Sequence, residues 1–280
     1  MALNLAGIAK SAVRHVVPQP ILQARYERYF FGTAEWQNLH LGVFESFDEA
    51  DAFAACRGVR PHFGLDHVKW LQEHRGLSTH DYPVLFWLGR LVADDIRLVD
   101  LGGSVGVTYY AYKAVLPLPP TLRWQVCELP EVVPLGQRIA QERGETALSF
   151  TTDRMAIDGA AILLAAGVLQ YVRTTLAELL QALPAPPRHV LVNRLPLTTQ
   201  RSSFVTLQNG GAGIQSYRIA NDAEFVEQLR RAGYRVVDRW RCMENTTQIP
   251  FHPDLTLDHF SGFYLTRDAG LSASGNEKCA

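Results

Sequence analysis

Four cysteines stand in 280 residues, and no two of them form a Cys-x-x-Cys pair. Scattered thiols (Cys56, Cys127, Cys242, Cys279) exclude a disulfide framework and a structural zinc site, and no metal is expected. They fit a reducing compartment, so a cytoplasmic location is the expectation. The chain also lacks an excess of charge, with 27 Lys and Arg against 28 Asp and Glu. A net charge of -1 argues against a protein that holds nucleic acid by broad electrostatics. Long hydrophobic runs are missing too. The best candidate, Ala160–Val168, falls far short of the ~20 residues of a spanning helix and reads as a buried strand. Internal repeats are not found. Residues 1–17 carry Lys10 after their apolar stretch rather than before it, which is the wrong order for an export signal. They read as an amphipathic helix that docks on the domain or a partner, with docking on a membrane surface as the alternative.

Two nucleotide signatures are absent as well. A Gly-x-Gly-x-x-Gly dinucleotide fingerprint starting at Gly102 fails at Ser104 and Val107, and no Gly-Lys-Ser/Thr phosphate loop occurs. What is present is an apolar run (Ile96, Leu98, Val99) ending in Asp100, then Gly102, Gly103 and Gly106. This pattern predicts a buried parallel strand, a nearly bare turn and a helix starting near Val105. Such a turn lets main-chain N–H groups approach a ligand closely. The next apolar run, Trp124-Gln-Val-Cys-Glu128, ends in a carboxylate placed to accept both hydroxyls of an adenosine ribose.

From residue 95 onward, apolar runs alternate with helical patterns, which predicts parallel βαβ units. Strands are expected over 96–101, 123–128, 147–151, 160–166, 188–193, 235–241 and 262–267, the last two as an antiparallel pair at the sheet edge. A helix beginning around Pro130 ends at Gly144, one capped by Thr175 with Glu178 stops before Pro184, and one capped by Asn221 precedes Gly233. Residues 1–94 are aromatic-rich and mainly helical, with a capping box at Ser46-Phe-Asp-Glu49, helices over 48–56 and 66–75, and a run over 82–92 apolar enough to pack onto the next domain. They read as a lid or platform on a 95–268 domain, with 269–280 a flexible tail.

The layout resembles the class I S-adenosylmethionine-dependent methyltransferases over about residues 95–267. The resemblance implies an α/β, Rossmann-like, seven-stranded sheet with S-adenosylmethionine as cofactor. The usual D-x-G-x-G-x-G has glycine where Ser104 stands. Five stretches narrow the likeness further. Residues 42–50, the Asp100–Ser104 turn, 168–171, 193–197 and 204–209 are similar to a methyltransferase family that accompanies polysaccharide or secondary-metabolite biosynthesis. Its acceptor is poorly defined. The implied activity is methyl transfer to a small molecule, a sugar or secondary metabolite, mostly at oxygen, with nitrogen or carbon as alternatives. A catalytically inactive cofactor-binding scaffold or assembly subunit is the competing reading. A homodimer through the N-terminal helical region is the expectation for a protein partner.

On this resemblance, Asp100, Gly102, Gly103, Ser104, Gly106, Glu128, Leu129 and Ala166 would hold the cofactor. Asp153 would contact adenine or merely cap a helix. In-line transfer needs the acceptor held about 3 Å from the methyl, and a base where the acceptor is a hydroxyl. Tyr171 could orient the acceptor or pack under a helix. Asn193 and Arg194, after the fifth strand, are the nearest polar groups, and Arg194 could bind an acceptor anion or form a surface ion pair. His252 and His259 lie in a long connection that could fold over the site and supply the base, or be ordinary surface histidines. His189 is structural, and His62, His67, His74 and His80 reach the site only if the N-terminal region covers it.

Overall fold

The computed structural model describes residues 17–35, 37–62, 64–66, 68 and 76–267. The helices expected over 1–17 and 66–75 fall mostly, and the tail over 269–280 wholly, outside the described residues.

Seven strands form the main sheet: β2 (Arg97–Leu101), β3 (Arg123–Cys127), β4 (Leu148–Thr151), β5 (Ile162–Ala166), β6 (His189–Leu195), β10 (Tyr234–Cys242) and β11 (Phe260–Arg267). Their order is β4-β3-β2-β5-β6-β11-β10. The first five are parallel, while β11 runs antiparallel to both β6 and β10. The fold is α/β and Rossmann-like, as expected, with the antiparallel pair at one edge. The chain goes outward from β2 to β3 and β4, then crosses back to β5 on the other side of β2. That makes β2/β5 the topological switch point, where sheets of this kind leave a crevice beyond their carboxyl ends.

Every residue of β5 is buried, which is why Ile162-Leu-Leu-Ala-Ala166 is an unbroken apolar run. Neighbouring residues serve opposite faces. Val99, Leu163, Val190 and Leu265 pack under α6 (Leu176–Gln181) and α7 (Asp222–Arg231). Leu98, Leu164, Leu191 and Tyr264 pack with Trp124 under α3 (Tyr82–Leu91) and α4 (Val107–Lys113), and α5 (Val133–Glu142) covers the same face. This is the two-residue period of a strand covered on both sides.

The caps follow the sequence closely. Thr175 and Glu178 form the full capping box of α6, and Asn221 Oδ1 accepts the Glu224 N–H at the start of α7. α2 (Phe47–Ala55) is capped by Ser46, whose Oγ accepts the Glu49 N–H, but Glu49 reaches back to the Glu45 N–H rather than to that of Ser46.

A second sheet was not foreseen. β1 (Leu39–Phe44) pairs with β8 (Phe204–Asn209), β8 with β9 (Ile214–Asn221), and β9 with the short β7 (Leu197–Thr198). The β8–β9 hairpin hangs from the carboxyl end of β6, so the roof is built by the N-terminal region and an insertion in the sheet domain together. One face of this roof packs on α1 (Gln19–Gly32) and α2 through Phe30, Phe44, Ala50, Val205 and Leu207. The other presents Phe204, Tyr217 and Ile219 to Cys242, Ile249, Leu255 and Phe260. No described helix is long and apolar enough to cross a membrane.

Candidate active site

The turn after β2 sits at the switch point. Gly102 (φ 70°) and Gly106 (φ 84°) take left-handed conformations, and so does Ser104 (φ 53°). Ser104 therefore keeps the backbone that glycine would have, at the strain cost of about 1 kcal/mol or more that a side chain pays there. Each glycine also has a packing reason. A Cβ on Gly102 would fall 2.4 Å from Val168 Cγ2, and one on Gly103 would fall 2.5 Å from Asp100 Oδ2. Asp100 is buried beneath the turn, with Trp124 Nε1 donating to it at 3.3 Å. Its carboxylate fills the space beneath Gly103.

Glu128 comes up from the end of β3 to the same place. Its carboxylate accepts the Ser104 N–H at 3.3 Å and the Leu129 N–H at 2.6 Å. Burial holds its pKa above the ordinary carboxylate value, with the two N–H groups pulling it back down. The Ser104 hydroxyl is buried beside it with no hydrogen-bond partner. Leu129 exposes its apolar side chain next to Glu128. The structure thus brings Asp100, Gly102, Gly103, Ser104, Gly106, Glu128 and Leu129 together. Asp153 caps the 3-10 turn Arg154–Ile157 by accepting the Met155 N–H at 2.8 Å.

On the β5 side, the Ala166 carbonyl accepts from Arg194 Nη2 at 2.6 Å. Arg194 has a left-handed φ of 56°, and its guanidinium lies flat against Gly167, where a Cβ would come within 3.1 Å of it. Tyr171 donates to Gln208 Oε1 at 2.7 Å and packs edge-on to Tyr217 at 5.2 Å, so the roof grips it. Burial raises its hydroxyl to about 12. At neutral pH the hydroxyl therefore keeps its proton and is unsuited to act as a base.

Asn193 is a strut rather than an acceptor contact. It is fully buried, its amide donates to the His80 carbonyl and to Asp81, and its oxygen accepts from Trp240 Nε1 at 3.0 Å, from the Arg194 N–H and from Cys242 Sγ. These bonds tie the Thr79–Asp81 turn to the end of β6, which brings His80 to the carboxyl edge. His80 Nδ1 stands 3.2 Å from Glu244, which also takes the Thr79 N–H and hydroxyl.

Residues 243–259 connect the end of β10 to the start of β11 along this same edge. His259 lies next to Phe260, which pairs with Cys242, and its Nδ1 is 2.5 Å from Asp258 Oδ1. His252 opens the Pro253–Leu255 turn, and its main-chain N–H bonds the Ile249 carbonyl. His189 is at the opposite end of β6, bonded to the Tyr264 hydroxyl. Among the described residues no group of three or more His, Cys, Asp or Glu could hold a metal ion.

Sequence reasoning missed His40, which is fully buried in the roof against Tyr217 and bonds Asn38 through Nε2. It also missed the Val168 contact with Gly102. A signal for the roof did exist: two β-rich runs, 204–209 and 214–221, flank Gly210, Gly211 and Gly213, which is a hairpin pattern.

No family model and no curated protein matches the sequence. Solved structures are similar. One is the 1,6-didemethyltoxoflavin-N1-methyltransferase of Burkholderia thailandensis, with 1,6-didemethyltoxoflavin and S-adenosylhomocysteine bound (19% identity, 83% of this chain, 96% of that one, TM-score 0.49). Another is the CcbJ methyltransferase of Streptomyces caelestis (14%, 71% and 95%, TM-score 0.48). A third is the magnesium protoporphyrin IX methyltransferase of Synechocystis, with S-adenosylmethionine bound (15%, 73% and 81%, TM-score 0.43).

Proposed function

We propose that the chain is a cytoplasmic S-adenosylmethionine-dependent methyltransferase that methylates an oxygen of a small molecule, a sugar or a secondary metabolite. The observation that carries this is the meeting of Glu128 with the Ser104 turn at the β2/β5 switch point. The cofactor fits the groups found there. A half-buried carboxylate suits two ribose hydroxyls, and the partnerless Ser104 hydroxyl inside the turn is a polar atom awaiting a ligand. When bound, the cofactor supplies a methyl group on a positively charged sulfur.

The chain's own residues would do the rest. Asp100 holds the turn, and Glu128 with Leu129 takes the adenosine end. Arg194, anchored on the Ala166 carbonyl, offers its guanidinium to an anionic group of the acceptor. Tyr171, fixed by Gln208, orients the acceptor. His259 would receive the hydroxyl proton, oriented by Asp258 as in other histidine–carboxylate pairs. His252, in the same connection, is the second candidate for that proton.

Calorimetric titration with S-adenosylmethionine, S-adenosylhomocysteine and NAD tests the reading. Saturable binding of both adenosyl compounds with no NAD binding is expected. Binding of NAD alone would overturn it.

A further inference from the structure

Two of the sequence stretches singled out above, 42–50 and 204–209, take no part in the turn at the switch point, yet they meet. Glu45, Phe47 and Asp48 from the start of α2, Ser203 before β8, Arg173 and Arg218 line a cleft of about 300 Å³ on the roof. That is within the size range of small-molecule sites.

The charges in this cleft are unevenly matched. Arg173 pairs with Asp48 and Asp51, and Arg201, beside the cleft, pairs with Glu45. The Asp48 and Glu45 side chains are 90% and 73% exposed, so these pairs are weak and open to exchange. Arg218 differs. Its guanidinium lies 4.9 Å from the Phe47 ring centre and donates to the Arg173 carbonyl. No described carboxylate comes within ion-pair distance of it. Glu178, the acid that acts on it from further off, is already bonded to the Thr175 N–H and hydroxyl. Burial lowers the Arg218 pKa, as expected for a cation with incomplete compensation.

We propose that this cleft binds a small polyhydroxylated anion, with its phosphate or carboxylate on Arg218 and its hydroxyls on Asp48 and Glu45. A guanidinium presents a planar fork that matches either anion with two parallel hydrogen bonds. Ionised carboxylates only accept hydrogen bonds, so they select hydroxyl donors. A neutral polyol leaves Arg218 unmet, and a bare anion faces two carboxylates with nothing to donate. A sugar phosphate or sugar acid satisfies both sets of groups. Arg218 also holds the backbone two residues beyond Tyr171, so the cleft and the acceptor side share one segment.

Calorimetry at low salt with glucose 6-phosphate, glucuronate, glucose and inorganic phosphate tests this without any methyl transfer. One of the two sugar anions should bind saturably, one per chain, at least ten times tighter than glucose or phosphate. Arg218→Gln should lose at least tenfold of that affinity and Arg218→Lys part of it, while the surface control Arg231→Gln keeps it. Asp48→Asn should erase the preference for the sugar anion over phosphate, which keeps the test open if Arg218→Gln fails to fold. Absence of saturable sugar-anion binding, phosphate binding as tightly as the sugar anions (an adventitious ion only), or full affinity in folded Arg218→Gln would each overturn the proposal. None of these results depends on S-adenosylhomocysteine binding, so the two readings fail separately.

Discussion

The carboxylate of Glu128 accepts the main-chain N–H of Ser104 at 3.3 Å and so joins the end of β3 to the turn after β2. The burial of this carboxylate has opposite consequences for stability and for binding. Burial raises the Glu128 pKa, so the unfolded chain gives up this proton at lower pH than the folded one. Stability from this group is therefore present at low pH and lost as pH rises through its folded pKa. Glu128→Gln removes the buried charge and should melt no lower than the parent at neutral pH. The same change should weaken S-adenosylhomocysteine binding roughly tenfold or more, because a charged hydrogen bond to ribose is worth about 1.5–3 kcal/mol. Calorimetry and thermal melting on one preparation check both, and unaltered affinity would remove Glu128 from the site.

His40 predicts an acid limb. It is completely buried, and that burial lowers its pKa to about 3. The folded protein keeps the ring neutral, while the unfolded chain takes up a proton below about 6.5. Stability must then fall as pH drops from about 6.5 towards 3, by about 1.4 kcal/mol per unit. His40→Gln lacks this linkage. Urea titrations at neutral pH and about pH 5 should show the parent losing about 2 kcal/mol more than the variant. Equal losses would mean that His40 is not neutral in the fold.

The inner parallel strands of the main sheet were legible because a strand covered on both sides must be apolar throughout, as Ile162–Ala166 is. The turn was legible because main-chain approach demands missing side chains. The roof was not. β1 finds its partner at Val205–Asn209, more than 150 residues away, and no local pattern in 39–44 announces that pairing. Asn193 failed for the same reason. Its position after the fifth strand suggested an acceptor contact, but its partners at His80, Trp240 and Cys242 converge only in the folded chain. Arg194 lies inside β6 rather than after it, because that strand runs on to Leu195, and Tyr171 ends the Leu169–Tyr171 turn after β5.

Gly102 separates a packing role from a ligand role. Its left-handed φ and the 2.4 Å approach of Val168 Cγ2 mean that Gly102→Ala should cost about 3 kcal/mol from strain and overpacking together. Trimming the obstructing side chain relieves only the second part. The double variant Gly102→Ala/Val168→Ala should therefore recover about 1–2 kcal/mol relative to simple addition of the two single changes. Strict additivity in chemical denaturation would show that Val168 does not set the requirement for glycine.

Asn193 carries the last prediction. Removing its side chain strips the Trp240 indole N–H and the Cys242 thiol of their acceptor and the His80 carbonyl of a donor, all in a buried setting. Asn193→Ala should cost about 3 kcal/mol, in line with leaving buried polar groups unsatisfied. Asn193→Asp keeps the shape but sets a second carboxylate where the amide now lies 3.4 Å from the buried Asp81. Two like charges so close raise the pKa of one of them, so the folded state holds a proton that the unfolded chain releases. The aspartate variant should then be the less stable of the two at about pH 7.5, and the gap should narrow or reverse towards about pH 5 as that proton returns. Denaturation of both variants at the two pH values decides it, and a gap independent of pH would show that the strut does not depend on Asp81.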